Sequence, residues 1–289
     1  MQAAQQIATL SGDAVTAAKA NAAFNTGVAA TANLLWNSSI GYFRGYTGGD
    51  AIMADCLYGL MLSQHFGFGW SVPMANVSQH LAAELKYNGN EGGFYLLSGR
   101  SNPGPVSEKS SKSRFVRYNN LGEPFSTIDD VNWMGASATW SYLQLALGTN
   151  IQDALEPSRL SSEIFRTYLK DNWNLVGIIT SGDWDLPYYP YVTSHYGFML
   201  PNYYLLPGLT GQQVDIPGGK LSFAPKIPCP FDAPLLLAGT TGHVQCNNNV
   251  FNVSISFGSL SLPAGGLRIN NIPYPQPVNL VAGGYVTWS

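Results

Sequence analysis

A single change of period divides this chain. From residue 1 to about residue 213 the apolar residues recur at helical spacing, and beyond that they alternate. Two regions follow: a helical one over about 1–213 and a small β element over about 214–289. Helix punctuation supports the first. Ser11-Gly12-Asp13 is a turn and N-cap opening a long Ala-rich helix from Ala14 to Trp36. Thr47-Gly48-Gly49-Asp50 caps a helix running to about Phe66, stopped by Gly67 and Gly69. Pro73 opens another that ends near Tyr87-Asn88. Asn132 to Leu147, Ser158 to Trp173 and a proline-bent Thr193 to Leu209 complete the set. Helices in up-down pairs predict a mainly α fold, a partial (α/α)6 six-hairpin toroid with a small C-terminal antiparallel β element. Ala3, Ile7 and Leu10 show helical spacing with no cap ahead of them, so the first helix is expected to have lost its opening turns. Lys220 to Phe223, Leu235 to Leu237, Val250 to Phe257 and Tyr285 to Trp288 read as strands, with Asn247-Asn248-Asn249 as a tight turn.

Composition then excludes several functions. Fourteen Lys and Arg against seventeen Asp and Glu give a net charge of −3, which leaves no broad basic footprint for nucleic acid. The longest apolar stretch, Tyr196 to Leu209, is broken by Pro201, Asn202 and Pro207, so no transmembrane segment is expected. His65, His80, His195 and His243 are scattered without metal-ligand spacing, and no phosphate loop or dinucleotide fingerprint occurs, so neither metal nor cofactor is predicted. Cys229 and Cys246 either pair or remain free, with Cys56 as a small apolar residue. Asn37, Asn76 and Asn252 head three Asn-x-Ser sequons, which together with an N-terminus lacking a signal core leave the compartment open, as does the oligomeric state.

Asp55 stands apart among the acids. It is placed in an opening helical turn among Ile52, Met53, Cys56 and Leu57. The helix field there lowers a carboxyl pKa, and desolvation or a second carboxylate raises it. The residue reads either as an ordinary first-turn acid or as a proton donor. Trp133 is either a stacking platform for a sugar or core. Trp184, Tyr188, Tyr189 and Tyr191 make an aromatic loop suited to sugar faces or to a protein interface. Thr193 and His195 are hydrogen-bond donors for a hydroxyl, or structural residues.

The stretch Asp50-Ala-Ile-Met-Ala-Asp55-Cys-Leu-Tyr-Gly59 resembles the Ser-Ile-Met-(Ala/Ser)-Asp-Gln-x-x-Gly segment of glycoside hydrolase family 116, the family of the non-lysosomal glucosylceramidase or bile-acid β-glucosidase. Leu35-Trp36-Asn37 with Gly41-Tyr42-Phe43, then Tyr87-Asn88, Trp133-Met134-Gly135, His195-Tyr196, Leu209-Thr210-Gly211 and Leu221 to Pro225 resemble further family segments in the same order. The resemblance implies an (α/α)6 barrel and retaining hydrolysis of β-glucosides, glycolipids among them, by two carboxyl groups. Asp55 matches the acid/base. Trp133, Asp185, Thr193, His195 and Tyr196 are the implied substrate contacts, and the nucleophile is implied upstream of this chain, leaving the isolated chain inactive. Two departures stand out: Phe198 occupies the place of a sugar-binding Arg, and Tyr188, Tyr189 and Tyr191 fall where the family carries acids. These favour an alternative, a degenerate carbohydrate-binding or structural module.

Overall fold

The computed structural model describes residues 1–45, 47, 51–90, 93–94, 97–99, 117–118, 124–125, 131–132, 134–164, 166–167, 178–179, 189–190 and 197–288. Among them are seven α-helices: α1 (Gln2–Leu10), α2 (Ala14–Ala30), α3 (Tyr58–His65), α4 (Met74–Asn88), α5 (Met134–Leu147), α6 (Ile151–Ile164) and α7 (Leu205–Thr210). Their ends obey local chemistry. The Asp13 carboxylate accepts the Thr16 N–H at 2.9 Å and caps α2. Gly67 follows α3 at φ +71°, and Phe68 donates back to the Ser63 carbonyl at 2.9 Å; Gly148 ends α5 in the same way at φ +88°.

Tertiary pairing overrides propensity in two places, and a local cap shifts a third boundary. The expected helix to Trp36 leaves α geometry at Ala30, passes through a π-turn (Thr31–Leu35), and becomes a strand at Trp36–Asn37. That strand pairs with Tyr42–Phe43, and the Trp36 and Phe43 rings pack with centroids 4.8 Å apart. The expected helix from residue 50 begins as a strand, Ala51–Met53, paired with Leu97–Gly99, because Ile52 is wholly buried beside Tyr42 and Ala83. The Asn150 side chain accepts the Asp153 N–H at 3.0 Å and starts α6 at Ile151, ahead of the expected Ser158. In α1, Ile7 and Leu10 face solvent, and only Ala8 is buried. The bent helix expected over 193–209 is a 3-10 run (Gly197–Tyr204) leading into α7, its tighter winding coinciding with Pro201; residues 193–196 lie outside the described residues.

The helical core gathers Phe43, Leu60, Met61, Val77, Leu81 and Phe94 with Trp140 and Leu143, and the Trp140 indole N–H donates to the Leu81 carbonyl at 2.9 Å. The mainly α reading is overturned beyond it. From Gln213 the chain is a β structure of three sheets rather than a small appendage. One sheet orders Gln213–Asp215, Lys220–Phe223, Leu267–Ile269 and Ile272–Pro273, its middle pair parallel, so the element is not purely antiparallel. The other orders Phe231–Leu237, Thr240–Asn247, Val250–Phe257 and Tyr285–Trp288. Ser259–Leu262 and Val278–Val281 form a further pair. Inward residues of all three share a core, including Leu221, Phe223, Leu235, Val244, Val253, Ile255 and Leu267. This core matches the helical one in its number of buried residues among those described. The protein is therefore an α+β molecule, and the partial six-hairpin toroid does not stand.

Cys229 and Cys246 form a disulfide with Cα atoms 5.3 Å apart. Asn248 and Asn249 adopt φ of +50° and +62°, making the tight turn between Thr240–Asn247 and Val250–Phe257. Helical and β parts meet at Gly211, at φ +59°, where a Cβ would collide with the Ala224 backbone. There the Lys226 N–H donates to Leu209 at 2.8 Å, and the Gln6 amide reaches Asp215 at 2.7 Å. Among the described residues no helix is long and apolar enough to cross a membrane.

Leu235 is fully buried and its neighbour Leu236 is exposed on the opposite face of the same strand. Urea unfolding of Leu235→Ala is expected to show a loss of about 2–5 kcal/mol, and Leu236→Ala within about 0.5 kcal/mol. Equal losses would contradict the register of this strand.

Candidate functional site

Asp55 lies in the turn between the strand Ala51–Met53 and α3, three residues ahead of Tyr58 rather than inside a helix. Its carbonyl accepts the Tyr58 N–H at 3.2 Å, and its side chain is mostly buried. Burial pushes the carboxyl up to about 6. One carboxyl oxygen, Oδ1, is buried with no hydrogen-bond partner.

The residues around it come from α4, whose buried stripe runs Val77, His80, Leu81, Glu84. Glu84 is 2% exposed, and its Oε1 is also buried without a partner. Burial first, and the charge of Asp55 second, hold this carboxyl well above the usual carboxylate range. His80 sits one turn earlier. Its Nδ1 accepts the Phe43 N–H at 2.9 Å, so in the neutral ring the proton is on Nε2. Burial lowers this imidazole to about 4, and it is uncharged at neutral pH. Nε2 lies 3.3 Å from the Cys56 sulfur and 3.6 Å from Glu84 Oε2. With the imidazole neutral, the latter contact is not an ion pair.

The tautomer decides what Cys56 does. A ring whose Nε2 already carries hydrogen does not take the thiol proton. Burial, together with Glu84 and Asp55, also pushes the thiol well above its usual range. Cys56 is a free but unactivated cysteine. The cluster is thus a proton-bearing one: two carboxyls biased toward the acid form, a neutral imidazole and a neutral thiol. Beside it opens a cavity of about 390 Å³ lined by Cys56, Leu57, Met53, Phe43, Arg44 and Leu35. Cys56 and Leu57, the residues following Asp55, form part of its wall, and Arg44 lines it with an Nε that is buried and unpaired.

Of the residues expected to make the site, Asp55 is described, whereas Trp133, Asp185, Thr193, His195 and Tyr196 lie outside the described residues, as do Trp184, Tyr188 and Tyr191. The backbone does bring two of the expected regions together. Val131–Asn132, just before Trp133, and Tyr189–Pro190 flank Ile178–Ile179 in one three-stranded sheet. Glu84 and His80 were missed from sequence. Their signal is an acid and a histidine four residues apart on the apolar stripe of a helix, where polar residues are rare unless they have work to do. Among the described residues no group of three or more His, Cys, Asp and Glu is arranged to hold a metal ion. Compared with known proteins, the chain matches no protein-family model, and no curated protein is significantly similar to it.

The raised Asp55 carboxyl has a stability consequence. Its native value of about 6 exceeds the ordinary 3.8, so the native state gives up stability as pH rises from about 4 through 6. Asp55→Asn removes that loss. Above pH 7 the variant is expected to be more stable than the parent by on the order of 1–3 kcal/mol, with no gain below about pH 4, read by urea unfolding across pH. A variant equally stable at pH 8 would mean that the carboxyl is well solvated.

Proposed function

We propose that this chain supplies the proton donor of a glycoside hydrolase acting on β-glucosides, glycolipids among them, with Asp55 as the general acid/base. One observation carries the reading: Asp55 is a carboxyl that burial raises to about 6, and the residues that follow it, Cys56 and Leu57, line a cavity. The glycosidic oxygen is a poor leaving group and needs a proton as its bond to the sugar carbon breaks. A carboxyl with a pKa near the working pH both gives that proton and recovers it. In a retaining reaction a second carboxylate attacks the sugar carbon as Asp55 protonates the departing oxygen. The Asp55 carboxylate then takes a proton from the water that hydrolyses the glycosyl ester. Glu84 is unsuited to the attacking role, being inaccessible and biased by burial toward its acid form. The charge of Asp55 adds to burial in keeping a proton on Glu84, while burial alone raises Asp55. By the resemblance, the attacking carboxylate comes from outside these residues.

Phe198 and the three tyrosines at 188, 189 and 191 favour a second reading, a module of the same descent that binds carbohydrate without cleaving it.

Hydrolysis assays separate the two. Asp55→Asn is expected to lower turnover of an alkyl β-glucoside by about 10²–10⁴-fold. A dinitrophenyl glucoside, whose leaving group needs no proton, should lose far less. For the parent, kcat/KM on the alkyl substrate should fall as pH rises above about 6, as the acid loses its proton. Undiminished alkyl turnover by the variant ends the assignment. Calorimetric binding of glucose-type ligands with no turnover in the parent supports the second reading.

A further inference from the structure

The sheet of Phe231–Leu237, Thr240–Asn247, Val250–Phe257 and Tyr285–Trp288 has an outer face that the Asp55 site does not use, with an open hollow of about 850 Å³. Its floor is a row of polar side chains in cross-strand register: Asp232 opposite Gln245, Gln245 opposite Asn252, Asn252 opposite Thr287. The row is internally wired. The Gln245 amide donates to Asp232 Oδ2 at 2.8 Å, the Asn252 amide reaches Gln245 Oε1 at 3.5 Å, and His243 Nδ1 meets the other Asp232 oxygen at 2.9 Å. Strands lie about 4.8 Å apart, so the row is about 14 Å long. One residue pair along the strands, Tyr285 stands opposite Ser254 on the same face as Thr287 and is 66% exposed. The disulfide of Cys246 ties the rim of the hollow to Cys229, so the platform is rigid.

From this geometry we infer that the outer sheet face binds a flat, uncharged, β-linked oligosaccharide along the Asp232–Gln245–Asn252–Thr287 row. Carboxamides donate and accept at once, as neighbouring hydroxyls require, and a carboxylate accepts from two of them. An exposed phenol ring offers a surface to the C–H face of a sugar. The lining carries no lysine or arginine, and the Asp232 carboxyl is held below the usual range by its bonds to Gln245 and His243, so an anionic ligand is repelled. A straight row on a pleated sheet fits the ribbon shape of a β-linked chain and not the coil of an α-linked one. The inference does not rest on the hydrolase reading, since none of these residues touches the Asp55 cluster.

Titration of the 289-residue chain with cellotetraose, followed by nitrogen-15 amide shifts, tests it. Saturable binding with shifts at Gln245, Asn252 and Thr287 is expected. Asp232→Ala and Tyr285→Ala, both at exposed positions, should each weaken binding by about tenfold with the melting temperature unchanged. Asp55→Asn should bind like the parent, so the hydrolase assignment can fail while this one stands. Absence of saturation, binding that survives both substitutions, or equal binding of maltotetraose overturns it.

Discussion

The buried hydrogen bond from the Phe43 N–H to His80 Nδ1 governs the chemistry of the helical half. It ties α4 to the hairpin that carries Trp36 and Phe43, and it leaves the imidazole hydrogen on Nε2, facing Cys56 and Glu84. Were the tautomer reversed, Nε2 would accept the thiol proton and the cluster would be a nucleophile with its base. As it stands, the thiol is unactivated, and the carboxyls are the groups that burial biases toward holding a proton. A single backbone donor, thirty-seven residues away in sequence, separates two kinds of chemistry.

The cluster is costly to maintain. Asp55 Oδ1 and Glu84 Oε1 are both buried without partners, and each such atom forfeits hydrogen bonds that water would supply. The surrounding core offsets that cost. Leu81 and Met61 are fully buried on the flanking helices, Val77 packs on the same face of α4, and the Trp140 indole closes the far side by bonding the Leu81 carbonyl. Strained polarity inside a well-packed shell is the arrangement expected where a group must give up a proton near neutral pH.

Much of the fold was legible from residues whose conformational needs are local. Gly67 and Gly148 announce helix stops through φ angles that other residues avoid, and Asn248 and Asn249 announce a hairpin for the same reason. The strands Lys220–Phe223, Val250–Phe257 and Tyr285–Trp288 have the bounds their alternation implies. The size of the β region was not legible. In Thr240–Asn247 the inward positions are Thr240, Gly242, Val244 and Cys246, and a buried threonine and glycine hide the apolar period. Leu267–Ile269 is too short to show one, and Ser259–Leu262 and Val278–Val281 are flanked by Gly258, Pro263, Pro277 and Gly283, which read as loop. Ala51–Met53 read as helix because its partner strand lies more than forty residues downstream. At the site, Asp55 was visible through its apolar neighbours. Glu84 and His80 were not, because the contacts that give them meaning join separate elements.

The Cys229–Cys246 bridge joins cysteines 17 positions apart and encloses the strand Phe231–Leu237 and most of Thr240–Asn247. Such a link acts chiefly on the unfolded chain, removing conformations worth about 3 kcal/mol. The folding equilibrium of the sheets is therefore coupled to the thiol–disulfide poise of the surroundings, and the helical half, which carries no bridge of its own, feels that poise only through its contacts with them at Leu209, Gly211 and Gln6.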